Sequence, residues 1–227
     1  MNKQILFFAC MLFACNSYGQ SYQKGDWNFD AGIGLGVFST ETKFSIPLPI
    51  IGTVTFSDDD GAASVIIPIS AEYAVSDRFG VGLQLNFSNY FIDDSTEVYN
   101  IFTGEPTGQM QENNTQSVNS FAIAVKANFH LMEHEQNDLF VGIAVGGSGI
   151  TWKWKDMEEE TLDGSGSYFN LYIMDRIYFT EKVGMNFNLG FTSYNYDEVK
   201  SSSSTAIENL EFKGSGVTFS VGPSFKF

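Results

Sequence analysis

The sequence predicts an all-β protein, an eight-stranded antiparallel up-and-down transmembrane β-barrel. Three observations predict it. Short segments alternate apolar and polar residues, which is the period of a strand facing two different environments. Short and long connections between these segments alternate strictly, as in a meander closed on itself. Finally, a leader opens the chain, while nothing after it approaches the run of about 18 apolar residues that a membrane-spanning helix needs. A membrane role must then come from a closed barrel, because lipid tolerates only helices and closed sheets as ways of satisfying the backbone. Mean hydropathy near zero, −0.07, fits strands that are each only half apolar.

In the leader, Lys3 precedes an apolar run from Ile5 to Ala14, and Ser17-Tyr18-Gly19 offers small residues before a cut preceding Gln20. Residues 1–19 read as a signal peptide and 20–227 as one barrel domain. A lipoprotein signal, Leu12-Phe13-Ala14-Cys15, is the competing reading, against which the bulky Phe13 counts. Both cysteines, Cys10 and Cys15, fall inside the favoured leader, so disulfides, thiolate metal sites and cysteine nucleophiles are not expected. Losing Lys3 moves the formal net charge from −15 to −16, which argues against a nucleic-acid partner.

Trp27, Phe29, Ala31, Ile33, Leu35 and Val37 make the first strand, alternating with Asn28, Asp30 and glycines. A loop rich in turn residues, 41–62, carries Asp58-Asp59-Asp60-Gly61. Val65, Ile67, Ile69, Ala71, Tyr73 and Val75 follow as the second strand, with Ser70 and Glu72 on the other face. The reversal at residues 75–80 leads almost directly into the third, Phe79 to Phe87. Beyond an acidic connection over 91–116, the fourth strand runs from Phe121 to Phe129 with Lys126, Asn128 and His130 opposite, and a short turn at Glu133 to Asp138 ends it. The fifth begins at Leu139; Gly146-Gly147-Ser148-Gly149 suggests a bulge, and Trp152 and Trp154 close it. After the acidic loop at Asp156 to Asp163, the sixth strand carries Phe169, Leu171, Ile173, Ile177 and Phe179, an apolar face that Asp175 breaks. The turn at residues 179–184 repeats the chemistry of residues 75–80 and reads as an equivalent hairpin. Val183 to Phe191 make the seventh strand, and a serine-rich loop through Ser201 to Ser204 leads to the eighth, Val217 to Phe227.

Aromatic residues gather near strand ends: Trp27, Phe29, Tyr73, Phe79, Phe129, Phe179, Phe225 and Phe227 at one end, Tyr90, Trp152, Trp154 and Tyr194 at the other. They read as two interfacial girdles. An alternating sheet can equally build a soluble sandwich or a lipocalin-like barrel. The leader and the aromatic last residue favour the membrane.

In a lipid-embedded barrel the polar strand faces point inward, and they carry Asp30, Glu72, Lys126 and Arg176. Glu72 lies five residues before Asp77 and Arg176 five before Glu181, so the two matching hairpins set both at one height, on strands four apart among eight. Strands about 4.8 Å apart and tilted about 40° give a barrel roughly 16 Å across, narrow enough for an inward Arg and Glu to meet. A charged, hydrogen-bonded plug including Gln84 and Tyr172 is expected there, formed as a complete network or not at all.

Most acidic residues fall in the four long loops, notably Asp58 to Asp60 and Glu158 to Glu160. Simple solvation is one reading; attraction of divalent cations that bridge lipopolysaccharide is the other. No spacing completes a calcium loop, and there is no G-x-S-x-G, H-E-x-x-H or phosphate loop. His130 reads as a lumen or rim residue and His134 as a turn residue, so no catalytic group, metal or cofactor is expected.

The last strand, with Phe219, Val221, Phe225 and Phe227 in register, resembles the C-terminal strand of bacterial outer-membrane barrels, whose terminal Phe belongs to the signal read by the barrel-assembly machinery. From about Trp27 the chain resembles the small eight-stranded family that includes OmpA-, OmpX- and OmpW-like proteins. The resemblance implies an outer-membrane location, with chain ends and short turns in the periplasm and long loops outside. It also implies contacts with outer-membrane lipids and lipopolysaccharide, and a monomer. Its members are membrane-stabilising, adhesive or host-interacting barrels, or narrow pores for small solutes. A lipid-modifying enzyme would work from the outer leaflet, whereas His130 and His134 fall at the short-turn end.

Overall fold

The computed structural model describes residues 22–48, 52–91, 95–99, 106–112, 115–133, 136–154, 161–201 and 209–227. The expected leader with Cys10 and Cys15, and His134, Glu158 to Glu160 and Ser202 to Ser204, lie outside them. Eleven strands follow in order: β1 (Trp27–Ala31), β2 (Ile33–Leu48), β3 (Gly52–Ser76), β4 (Phe79–Phe91), β5 (Ser95–Tyr99), β6 (Pro106–Glu112), β7 (Thr115–Glu133), β8 (Asn137–Trp154), β9 (Thr161–Tyr178), β10 (Val183–Ser201) and β11 (Asn209–Lys226). Among the described residues there is no helix.

β1 and β2 are one wall strand interrupted at Gly32, since both pair with β3 on one side and β11 on the other. With β4 and β7 to β10 they complete a closed antiparallel ring of eight walls. At the seam Phe29 opposes Phe225 and Val37 opposes Val217. Trp27 and Phe227 exchange both backbone hydrogen bonds, at 3.0 and 2.9 Å, so the two ends of the wall meet at the short-turn end. β5 and β6 form a separate two-stranded hairpin.

The expected loop at 41–62 is instead a continuation of the sheet. β2 and β3 stay paired as far as Leu48 and Gly52, and β11 flanks β2 up to Ser45. Tertiary pairing overrides the turn propensity of Asp58 to Gly61, because these residues stay in register with β2, opposite Ser39 to Thr42. The glycines at 146–149 introduce no bulge: the β8 ladders run through them without a shift. Gly146 serves close approach, since a Cβ there would stand 1.9 Å from the Ile123 carbonyl oxygen. Register shifts fall elsewhere, at Ala74/Ser76, Thr115/Ser117, His130/Met132 and Tyr196/Val199. The two hairpins of matching chemistry also differ in length. Asp77 and Arg78 alone separate β3 from β4, whereas residues 179–182 separate β9 from β10. In both, a hydroxyl oxygen, of Ser76 or Thr180, accepts backbone N–H groups of the turn.

On the outer wall each strand carries an apolar stretch that gives way near one level: Val37 before Ser39, Val65 before Ala63, Phe87 before Asn89, Phe121 before Asn119, Val145 before Gly147, Phe169 before Ser167, Phe191 before Ser193 and Val217 before Ser215. From Trp27 to Val37, rising about 3.3 Å per residue at about 40° of tilt, the band is roughly 25 Å tall. That is the hydrocarbon thickness a transmembrane barrel covers. Trp27, Phe29, Tyr73, Phe79, Phe129, Phe179, Phe225 and Phe227 all project outward at its short-turn edge. The second expected girdle is corrected: Tyr90 and Tyr194 are buried in the lumen, and Trp152 packs on Phe212 inside. They share the parity of Ser88 and Thr192, which also face in; the aromatics at that outer edge are Phe87, Phe121, Phe169 and Phe191. The side chain of Trp154 lies outside the described residues.

Candidate functional site

The lumen is filled in two layers. At the short-turn end stands a charged cluster; above it, towards the long hairpins, the interior is aromatic and aliphatic.

Arg176 is the hub of the lower layer. Its Nε donates to Asp30 Oδ1 at 3.0 Å and its Nη2 to Asp30 Oδ2 at 2.8 Å. Nη2 also donates to Glu72 Oε2 at 2.5 Å, and Nη1 to Asp138 Oδ2 at 2.9 Å. Thus one guanidinium, fully buried, holds carboxylates from β1, β3 and β8, while its face lies 4.4 Å from the centre of the Phe140 ring. Lys126 completes the Asp30 side: its Nζ donates to Ser70 Oγ at 2.9 Å and stands 3.9 Å from Asp30 Oδ2. Ser70 and Ser224 donate to Asp30 at 3.2 and 2.7 Å.

Two members were not anticipated in this role. His130, on the inner face of β7, has Nδ1 at 2.5 Å from Asp138 Oδ1 and Nε2 at 2.9 Å from Glu72 Oε1. Only an imidazolium donates from both nitrogens. In that form the cluster has three cations (Lys126, His130, Arg176) for three carboxylates (Asp30, Glu72, Asp138). A complete complement is what burial of such charge requires, because an unpaired member would bear the full desolvation penalty. His130 shares the parity of Lys126, so its direction was readable. Asp138 reads as a turn residue from the sequence because alternation starts the strand at Leu139, two residues after its observed start at Asn137.

Tyr22, ahead of the first strand, covers this layer. Its ring stacks on His130 with centroids 3.5 Å apart, and its hydroxyl donates to Glu72 Oε1 at 3.4 Å. Burial, and then the adjacent Glu72 carboxylate, push that hydroxyl well above its ordinary pKa and keep it a donor.

Gly80 and Gly142 make room on the walls between. A Cβ on Gly80 would stand 1.8 Å from Glu72 Oε1, and one on Gly142 2.3 Å from Asn128 Oδ1. Asn128 in turn accepts from Tyr172 at 2.5 Å. Gln84, expected in the charged layer, donates instead to Tyr168 at 3.0 Å in the layer above.

The upper layer centres on Tyr194, whose ring contacts Phe38, Tyr90, Tyr168 and Tyr196. Asn86 donates to its hydroxyl at 2.8 Å. Between the layers a cavity of about 10 Å³, bounded by Asp30, Ser70, Gln84, Asn186, Asn188 and Ser220, has room for a single water. Two depressions, of about 470 and 460 Å³, are open grooves lined chiefly by outward-facing residues where the apolar band meets the polar collar. Among the described residues no group of histidines, cysteines and carboxylates is arranged to hold a metal ion.

The fold is similar to those of known bacterial outer-membrane barrels. The outer membrane protein OprG of Pseudomonas aeruginosa superposes with a TM-score of 0.57 at 12% identity, over 93% of this chain and 99% of that one. The outer membrane protease OmpT of Escherichia coli gives 0.47 at 11% identity, over 94% and 100%. The N-terminal β-barrel domain of P. aeruginosa OprF gives 0.41 at 14%, over 87% and 98%. No family model matches the sequence, and no curated protein is similar to it in sequence. The likeness to OprG is therefore one of fold, and proteins of differing roles share that architecture.

Proposed function

We propose that this chain is a plugged, non-enzymatic outer-membrane barrel of structural or surface-interaction type. The observation that carries the reading is the double closure of the lumen, by ion pairs below and aromatic rings above, with room between them for one water. The apolar band supports a bilayer location, and the short turns and chain ends then face the periplasm. The carboxylates and imidazole that catalysis would need are instead buried and paired with one another. What meets the exterior is the wall and its long hairpins. Their polar collar, with Glu41 and Lys43 paired at 2.7 Å, stands at the height of outer-leaflet head groups, which makes lipopolysaccharide and lipid its immediate partners, around a monomer. The terminal residues Phe219, Val221, Phe225 and Phe227 serve assembly.

Single-channel recording of refolded protein in planar bilayers tests the reading. The plugged barrel gives no steady current. Steady conduction by the unmodified chain would replace it with a narrow channel for small solutes.

A further inference from the structure

We propose that the short-turn mouth of the barrel carries a slot built for one aromatic side chain, and that the chain's own segment 22–26 occupies it as a stopper. Tyr22 is 2% exposed although it precedes the first strand, and a residue there has no ladder to hold it. What holds it is a folded strap. Asp26 N donates to the Gln23 carbonyl at 3.1 Å, Gln23 N donates to Asp26 Oδ2 at 3.0 Å, and Gly25 takes the left-handed φ of 98° that closes the turn. The turn is fastened to the wall at three points. Gly25 N donates to the Ala74 carbonyl and Ala74 N to the Asp26 carbonyl, both at 2.9 Å, and Lys24 N donates to Asp77 Oδ1 at 2.9 Å.

The slot itself has a floor, a wall and a polar end. The His130 ring is the floor, lying 18° from parallel to Tyr22. Glu72 accepts the hydroxyl. Gly80 is the wall: a Cβ there would come within 2.7 Å of the Tyr22 hydroxyl and would collide with Glu72. A ring stacked on His130 while that imidazole bridges two carboxylates gains cation–π attraction as well as burial. By covering His130 and Glu72 the stopper keeps bulk water from the charged layer and so strengthens the pairing inside it. An uncapped mouth would leave those ion pairs open to aqueous competition from the periplasmic side. Anything that draws out the N-terminal segment would uncork that layer without disturbing the strands.

The test uses the chain without residues 1–19, which has no native cysteine, refolded with Ala74→Cys. Ala74 faces inward beneath the strap and is fully buried. With Tyr22 in place, a charged, water-soluble thiol reagent should label this cysteine slowly, and Tyr22→Phe, which keeps the ring, should leave the rate near that value. Tyr22→Ala should raise the rate at least tenfold while the protein keeps the shifted electrophoretic migration of the unboiled, folded barrel. Gly80→Ala should give the same rise with Tyr22 intact; if that variant does not fold, the Tyr22→Ala comparison decides alone. Rapid labelling with the native strap, or equal protection in Tyr22→Ala, overturns the proposal. The outcome is separate from that of the plugged reading, because the aromatic layer would still block current when the stopper is out.

Discussion

Arg176 and Asp30 meet in two parallel hydrogen bonds, of 3.0 and 2.8 Å, across the lumen between strands three positions apart in the ring. Backbone pairing does not bring β1 and β9 together; the contact exists because the barrel is closed and narrow. The same guanidinium also reaches Glu72 and Asp138, so its loss and theirs are not equivalent. Arg176→Ala leaves three buried carboxylates facing Lys126 and His130, and should lower stability by about 3–5 kcal/mol. Glu72→Ala leaves Arg176 with two carboxylates still in place and should cost less. Urea unfolding of both variants in lipid vesicles checks the order; equal losses would count against the hub role of Arg176.

The two layers close the lumen in series. Tyr194→Ala opens a void among Phe38, Tyr90, Tyr168 and Tyr196 and should destabilise by roughly 3–5 kcal/mol, as truncation of a buried aromatic ring does. It should not by itself produce current, because the ion cluster remains. The same holds for Arg176→Ala, behind the intact aromatic layer. Steady conductance is expected in the double variant alone, and current in either single variant would show that one layer carries the seal.

Asp175 breaks the apolar band on the outer wall, between Leu139 and Phe187 on the neighbouring strands, and its Oδ1 has no hydrogen-bond partner. A carboxyl presented to lipid is unfavourable by an amount that depends on depth. Asp175→Leu should therefore stabilise the barrel by about 1 kcal/mol in vesicles. Unchanged or lower stability would mean that the carboxyl has a favourable contact in the bilayer.

How far the site could be read from the chain follows from strand parity. Asp30, Glu72, Lys126 and Arg176 alternate with outward apolar residues, so their direction was legible, and so was that of His130. Which of them touch was not, since contact across a barrel depends on stagger and on the small walls at Gly80 and Gly142. Tyr90 and Tyr194 carry two conflicting signals: their parity with Ser88 and Thr192 points inward, whereas their place near a strand end points to the interface, and the closed lumen makes parity the stronger. The register shift at Tyr196/Val199 turns Val199 inward on the parity that had faced out, and no local signal in Asn195 to Val199 marks it. Tyr22 was illegible for a different reason. Its burial comes from a turn that binds to β3 and the β3–β4 hairpin, and alternation says nothing about segments outside the sheet.

The seam gives the last prediction. Phe227 contributes two separable things: backbone hydrogen bonds that pair it with Trp27, and an outward ring set edge-on to Phe29 at 5.8 Å. Phe227→Ala removes the ring and keeps the backbone bonds, whereas deleting Phe227 removes both. Spontaneous refolding into detergent depends on the sheet, so Phe227→Ala should refold almost as well as the unmodified chain, and the deletion should refold more slowly. On the assembly role proposed for the terminal strand, insertion in cells depends in addition on recognition of that strand, for which the ring is the exposed feature, 68% accessible at the rim. Both variants should therefore reach the outer membrane at clearly reduced levels, measured as heat-modifiable protein in membrane fractions, with secretion across the inner membrane unchanged. Normal membrane levels of Phe227→Ala alongside loss of the deletion variant would assign the whole effect to closure of the seam and none to recognition of the ring.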